Sequence, residues 1–256
     1  MSKFQLKEIL ACPKCKTPLK KYIPKGICPK CHLEFKKEAG IWHLLKISKK
    51  NTSASAKLYE KLHFNKFVGP NDGSYEILAS FARGNKCLDI ACGQGDIEKL
   101  APQTVGLEFS INALKQAQKK GIKNLVLADA QFLPFKDNSF DIAISTGNLE
   151  HFENPQKALL EMARVSKIQV LTAHKYPPIP FAPFIYKIVS FIFSVKHQAI
   201  EKPIDIKNLE IMYKAANLRI IYKGTWTLPF NRGKVITFLP EFTNTPSCNF
   251  IISIKK

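Results

Sequence analysis

Between Lys86 and Ala173 the chain alternates two kinds of hydrophobic spacing, and that alternation constrains the fold more than any other feature. "KCLDIA", "TVGLE", "NLVLA", "FDIAIS" and "IQVLTA" are short apolar runs of strand length. Between them, "SINALKQAQKKG" opens on Ser110 as a helix cap and closes at Gly121. "NPQKALLEMARVS" opens on Asn154 as cap, with Pro155 at the first helical position. Such a βαβ alternation predicts an α/β fold, a doubly wound, mostly parallel sheet with helices on both faces. Beyond it, "IDIKNLEIMYKAANL" reads as a helix, and "LRIIYKG" and "CNFIISIK" as two strands able to pair as an antiparallel edge.

The stretch "CLDIACGQGDIEKL" (87–100) runs from strand through a glycine turn into a helix. Dinucleotide sites want a third small residue in this turn, and here that position is Glu98. Asp96 and Glu98 in the first helical turn are expected to repel phosphate. No Gly-Lys-Ser/Thr follows, so a triphosphate loop is excluded. A ligand with a cationic amino-acid end and no phosphate fits better, and S-adenosylmethionine is one. Asp89 at the strand tip can accept hydrogen bonds from its ammonium group, while Gly93 and Gly95 admit close backbone approach. Glu108, 19 residues after Asp89, has the spacing of a ribose-binding acid. Asp129, followed by Ala130, is placed to hold the adenine amine.

"LDIACGQG", "VGLEFS", "LADAQFLPFKDNSFDIAIS" and "NLEHFENPQKALLEMARV" resemble the class I S-adenosylmethionine-dependent methyltransferases of the type 11-like branch, which includes quinone-biosynthesis enzymes. The resemblance implies a Rossmann-like, seven-stranded sheet and S-adenosylmethionine as cofactor. It implies cofactor contacts from Asp89, Ala91, Gly93, Gly95, Glu108, Phe109, Asp129, Ala130 and Thr146. Ligands of open α/β sheets lie beyond the carboxyl ends of the strands. That puts "STGNLEH" (145–151) and "TAHKYPP" (172–178) beside the transferable methyl group. His151 and His174 are therefore the candidate catalytic bases, each equally able to be a structural histidine. No Asn/Asp-Pro-Pro-Tyr/Phe motif and no Pro-Cys or Thr-Cys nucleophile occurs there, which argues against amide or adenine amine and pyrimidine carbon methylation.

The N-terminus carries a second signal. Cys12 and Cys15 pair with Cys28 and Cys31 across a 12-residue gap, the spacing of two knuckles around one tetrahedral zinc ion. His32 in place of Cys31, or four reduced cysteines packed as small hydrophobes, are the alternatives. A module this small has little core of its own, so bound metal would supply its folding energy, separately from the larger domain. The module resembles the small zinc-ribbon partners of translation-related methyltransferases and the zinc region of certain ribosomal RNA guanine methyltransferases, which implies contact with RNA.

These signals predict a zinc ribbon at 1–47, a linker at 48–66 and a methyltransferase domain at 67–256, with an apolar lid insertion at 176–204. The net charge of +19 is uneven: residues 1–66 hold 16 basic and 4 acidic side chains, whereas 67–174 hold 11 and 12. A basic ribbon is consistent with RNA, although 35 of the 39 cations are lysines, which also simply solvate a surface. The segment "YPPIPFAPFIYKIVSFIFSV" is read as an active-site lid and pocket for a lipophilic or small-molecule acceptor, the alternative being packing on the sheet or an oligomer contact. Pro180, Pro183 and Lys187 break it, so no transmembrane segment is expected, and peripheral lipid contact stays open. The first residues lack a secretion signal and the cysteines form no disulfide framework, which fits a cytoplasmic protein. The methyl acceptor is not written in the sequence. The competing readings are a ribosomal or transfer RNA methyltransferase and a non-catalytic partner subunit.

Overall fold

The computed structural model describes residues 5–20, 25–45, 60, 73–175, 180–181, 184, 188, 202–226 and 248–256. The strands are β1 (Lys25–Ile27), β2 (Glu34–Glu38), β3 (Ile41–His43), β4 (Cys87–Ile90), β5 (Val105–Glu108), β6 (Leu125–Leu127), β7 (Phe140–Thr146), β8 (Ser166–His174), β9 (Leu218–Trp226) and β10 (Cys248–Lys255). The helices are α1 (Ser74–Ala82), α2 (Asp96–Leu100), α3 (Ile111–Lys119), α4 (Pro155–Val165) and α5 (Ile206–Ala215). All these strands join one sheet in the order β1-β2-β3-β6-β5-β4-β7-β8-β10-β9.

Seven of them, from β6 to β9 in that order, make the expected sheet. Strands β4 to β8 are mutually parallel, and β10 is antiparallel to both β8 and β9. The direction of winding reverses between β4 and β7, so the crevice where such sheets bind ligands opens at their carboxyl ends. Caps appear where the sequence placed them: Ser110 accepts from Ala113 N and Asn154 from Lys157 N. Asp205 caps α5 in the same way, accepting from Asn208 N.

Alternate residues of β8 serve opposite faces. Val170 packs with Leu78, Ile97 and Ile144 under α1 and α2, while Leu171 and Ala173 join Leu159, Met162 and Leu209 under α4 and α5. Among the described residues, no helix is long and apolar enough to cross a membrane.

The cysteine module is part of this sheet. β3 runs parallel to β6, with Trp42 opposite Val126 and His43 opposite Leu127. Ala11 N donates to Pro134 O at 2.9 Å, Lys136 N donates to Ile9 O at 2.9 Å, and Leu10, Leu19 and Trp42 share the main core with Leu133 and Phe135. Lys16 reaches Leu133 O at 3.1 Å and pairs with Glu161 of α4 at 2.5 Å. A module with so few apolar residues gains its core by borrowing the edge of a larger one. Of the linker, only Glu60 lies within the described residues. Its carboxylate accepts from Ile111 N at 2.8 Å and Ser110 Oγ at 2.9 Å, on the amino end of α3.

The expected lid falls largely outside the described residues. Its far end is described: Lys202 N donates to Glu150 O at 3.1 Å and Ile204 N to His174 O at 3.0 Å.

Candidate active site

The turn after β4 is built on left-handed backbone. Ala91 has φ +61°, Gly93 +54° and Gly95 +79°. A Cβ on Gly95 would also sit 3.0 Å from Ile122 Cγ1 and 3.2 Å from Ala117 Cβ, so that glycine is required both for its dihedral and for its space. Ala91 has no such licence, and a non-glycine residue held left-handed stores strain of the kind that gathers at binding sites. Asn148, just beyond β7, donates from Nδ2 to Ile90 O at 3.2 Å and fixes the turn to the neighbouring strand.

Asp89, the penultimate residue of β4, is 3% exposed, with no hydrogen bond to its carboxylate among the described residues. Burial, then the charges of Glu98, Glu108 and Asp96, pushes its pKa well above the usual carboxylate range. A cation placed there would relieve both, which fits the ammonium or sulfonium group of S-adenosylmethionine. Glu108 is also buried. It accepts from Gly93 N at 3.0 Å, Phe109 N at 2.7 Å and Ser110 N at 2.9 Å, and so ties the glycine turn to the start of α3. Asp129 caps a short 3-10 turn (Ala130–Phe132), accepting from Gln131 N at 2.8 Å. Thr146 ends β7 beside Thr172, its hydroxyl buried without a partner. The cofactor residues expected from sequence thus lie along the carboxyl edge of β4, β5, β6 and β7.

Glu98 differs from its sequence reading. It does not face solvent beside Asp96 but is fully buried, both oxygens without partners, under the glycine turn. Gly106 in β5 makes room for it, since a Cβ there would lie 2.9 Å from Glu98 Oε1 and 2.8 Å from Cys92 Sγ. Burial raises its pKa to about 8, with Asp96 and Glu108 adding to the rise. Burial thus favours the neutral form of Glu98, which weakens the phosphate repulsion expected of it. Asp96, the exposed member of the pair, is bonded to Lys120 at 3.1 Å.

On the other side of the crevice, Glu150 and His151 lie on a 3-10 turn (Leu149–His151) after β7, and His174 ends β8. His174 N donates to Glu150 Oε1 at 3.0 Å, and His174 Nδ1 lies against the same oxygen. His151 Nε2 is 3.9 Å from it. Burial works to lower the His174 pKa, but Cys248 and Glu150 outweigh it and raise the imidazole to about 10. Glu150 thus favours positive charge on or beside the His174 ring. Gly147 presses on the ring, since a Cβ there would meet His174 Cε1 at 3.1 Å.

The four cysteines of the ribbon converge. Their sulfur atoms lie within 4.8 Å of one another. The two knuckles repeat one hydrogen-bond pattern: Lys16 N to Cys12 O and Cys12 N to Thr17 O, then His32 N to Cys28 O and Cys28 N to Leu33 O. Lys16 (φ +62°) and His32 (φ +56°) take the left-handed position that closes each. His32 is thus a turn residue and lies outside the cysteine cluster. Thr17 lowers Cys15 to about 6, while contact with Cys15 raises Cys31 to about 12. Four thiols have too little positive charge nearby to ionise together, and a metal cation held between them would supply it.

Residues 88–170 match the family described as a methyltransferase domain. This segment is a methyltransferase domain. An uncharacterized protein of Methanocaldococcus jannaschii is 42% identical over 113 residues, covering 44% of this chain and 44% of that one. A demethylmenaquinone methyltransferase of Renibacterium salmoninarum is 36% identical over 89 residues, 33% of this chain and 38% of its own. The chain therefore spans less than half the length of these curated relatives. A solved S-adenosylmethionine-dependent methyltransferase of Thermotoga maritima shares the fold, with a TM-score of 0.55 and 18% identity over 78% of this chain and 96% of that one. The sheet itself extends past the matched segment, with β10 and β9 completing it beyond β8.

Sequence reasoning missed Glu60, Asn148 and Glu150. Glu60 sits 50 residues from the Ser110 hydroxyl it accepts from, so no local pattern betrays it. Asn148 and Glu150 lie inside the quoted "STGNLEH", where attention to histidine passed over the residues that position the loop and the ring.

Proposed function

We propose that the chain is an S-adenosylmethionine-dependent methyltransferase whose acceptor enters between the glycine turn and the Glu150, His151 and His174 cluster. The observation that carries this is Asp89, a buried carboxylate with no hydrogen bond among the described residues, near the end of the first parallel strand of a methyltransferase domain. When bound, S-adenosylmethionine supplies an activated methyl group for in-line transfer. Asp89 binds the ammonium end, Glu108 with the backbone it holds places the ribose, and Asp129 meets the adenine amine. His151 is the candidate proton acceptor for an acceptor that must lose a proton, with Glu150 and His174 holding it in place.

The acceptor on this reading is a lipophilic or small molecule. The apolar segment 176–204 departs and returns beside His174, and one matched relative is named for demethylmenaquinone. A zinc ion held by Cys12, Cys15, Cys28 and Cys31 stabilises the ribbon at the sheet edge, and the basic ribbon offers RNA a contact surface. The deciding experiment incubates the purified protein with labelled S-adenosylmethionine and separate lipid, small-molecule, RNA and protein extracts. Label in the lipid or small-molecule fraction supports the reading. Label in RNA alone transfers the acceptor assignment to the ribbon, and no label in any fraction favours a non-catalytic partner subunit.

A further inference from the structure

We propose that Glu150, His151 and His174 form a second metal site, for a divalent transition-metal ion, at the acceptor side of the cofactor crevice. Each residue offers one ligand atom, and the three atoms lie within 4.8 Å of one another. Ligand bonds of about 2.0–2.2 Å set donors roughly 3 to 3.5 Å apart, so the cluster closes on an ion by shifts on the order of 1 Å.

The carboxylate is the strongest sign. Glu150 has no exposed side-chain surface, and its Oε2 has no hydrogen-bond partner. A buried carboxylate oxygen without a partner costs free energy that a cation recovers. His174 Nδ1 is likewise buried without a well-formed hydrogen bond, although it touches the carboxylate. The two imidazoles come from different elements and their ring centres stand 6.3 Å apart at 65°, flanking the Glu150 carboxylate.

The frame around the cluster is fixed. Gly147 packs on the His174 ring, Lys202 N bonds Glu150 O and Ile204 N bonds His174 O. Both histidine side chains keep partial exposure, 12% for His151 and 33% for His174. Three protein ligands leave positions for water or for an oxygen of the acceptor, as in metal sites that do chemistry. Two imidazoles and one carboxylate suit zinc, cobalt, iron or manganese, in contrast to the four-thiolate set of the ribbon. An acceptor hydroxyl bound to such an ion would be oriented and lose its proton more easily. That role rests on the methyl-transfer reading, whereas the binding of metal does not.

The test uses the full chain with zinc already in the ribbon, titrated with Co²⁺ and followed by equilibrium dialysis and visible absorption. The expected result is about one Co²⁺ per chain beyond the zinc, with d–d bands and no thiolate charge-transfer band. Glu150→Gln and His151→Ala should each weaken Co²⁺ binding about tenfold or more while zinc content and thermal unfolding stay unchanged. Should Glu150→Gln fail to fold, His151→Ala carries the test alone. Wild type taking up no Co²⁺ beyond the ribbon, or a folded His151→Ala binding it as wild type does, overturns the site and leaves an ion pair between Glu150 and His174. Metal content is read without turnover, so an inactive protein that binds Co²⁺ would refute the methyltransferase reading and leave this one standing.

Discussion

Asn148 donates a hydrogen bond from Nδ2 to the carbonyl of Ile90, 58 residues away and 3.2 Å distant. That bond joins the loop after β7, which carries Glu150 and His151, to the turn after β4, which carries the glycines. Asn148→Ala removes the donor while leaving the strands intact. A net bond of this kind contributes about 1 kcal/mol. S-adenosylmethionine affinity, measured by calorimetry, should fall roughly fivefold, with little change in thermal unfolding. Unchanged affinity would mean that the turn holds its shape without this tie.

Removal of metal from the ribbon should be felt across the domain. β3 pairs with β6, and Leu10 and Trp42 share a core with Phe135, so the ribbon cannot melt without exposing the sheet edge. Cys28→Ser, or chelation of the wild type, should lower the unfolding midpoint of the methyltransferase domain in one cooperative transition. Zinc analysis and calorimetric scanning of the same samples check this. Two separate transitions, with the upper one unmoved, would restore the independent module expected from sequence.

Glu98 sets a pH dependence. Its pKa is raised to about 8 in the folded chain by burial, against an ordinary value of 4.5. The folded state thus holds a proton that the unfolded state has already released, and stability falls as pH rises from about 4.5 to about 8. Glu98→Gln keeps the shape without the ionisation. Its stability relative to wild type should increase across that window and level off above it. Urea midpoints of both proteins at pH 5 and pH 9 test this, and parallel profiles would show that Glu98 is ionised when folded.

The legible parts of the fold were those with short-range causes. Five strands, the caps Ser110 and Asn154, and the two cysteine knuckles follow from residues within a few positions of one another. The illegible parts depend on direction and on distant neighbours. Glu98 counts as a first-turn carboxylate in sequence, yet the absent Cβ of Gly106 opens a space that turns it inward. The docking of the ribbon rests on β3 meeting β6, a pairing across more than 80 residues that spacing cannot announce. For the site, acidic strand ends were visible as a series, but the Glu150 carboxylate between two histidines appears only when β7 and β8 lie side by side.

The central claim rests on Asp89, the buried carboxylate near the end of β4. The most direct measurement is titration calorimetry of S-adenosylmethionine into wild type and Asp89→Ala, with circular dichroism confirming that both are folded. Hydrogen bonds to a charged group contribute about 1.5–3 kcal/mol, so the account predicts one-to-one binding to wild type and affinity weakened at least about tenfold in the variant. Equal affinity in the two proteins, or a folded wild type that binds no S-adenosylmethionine, would contradict it.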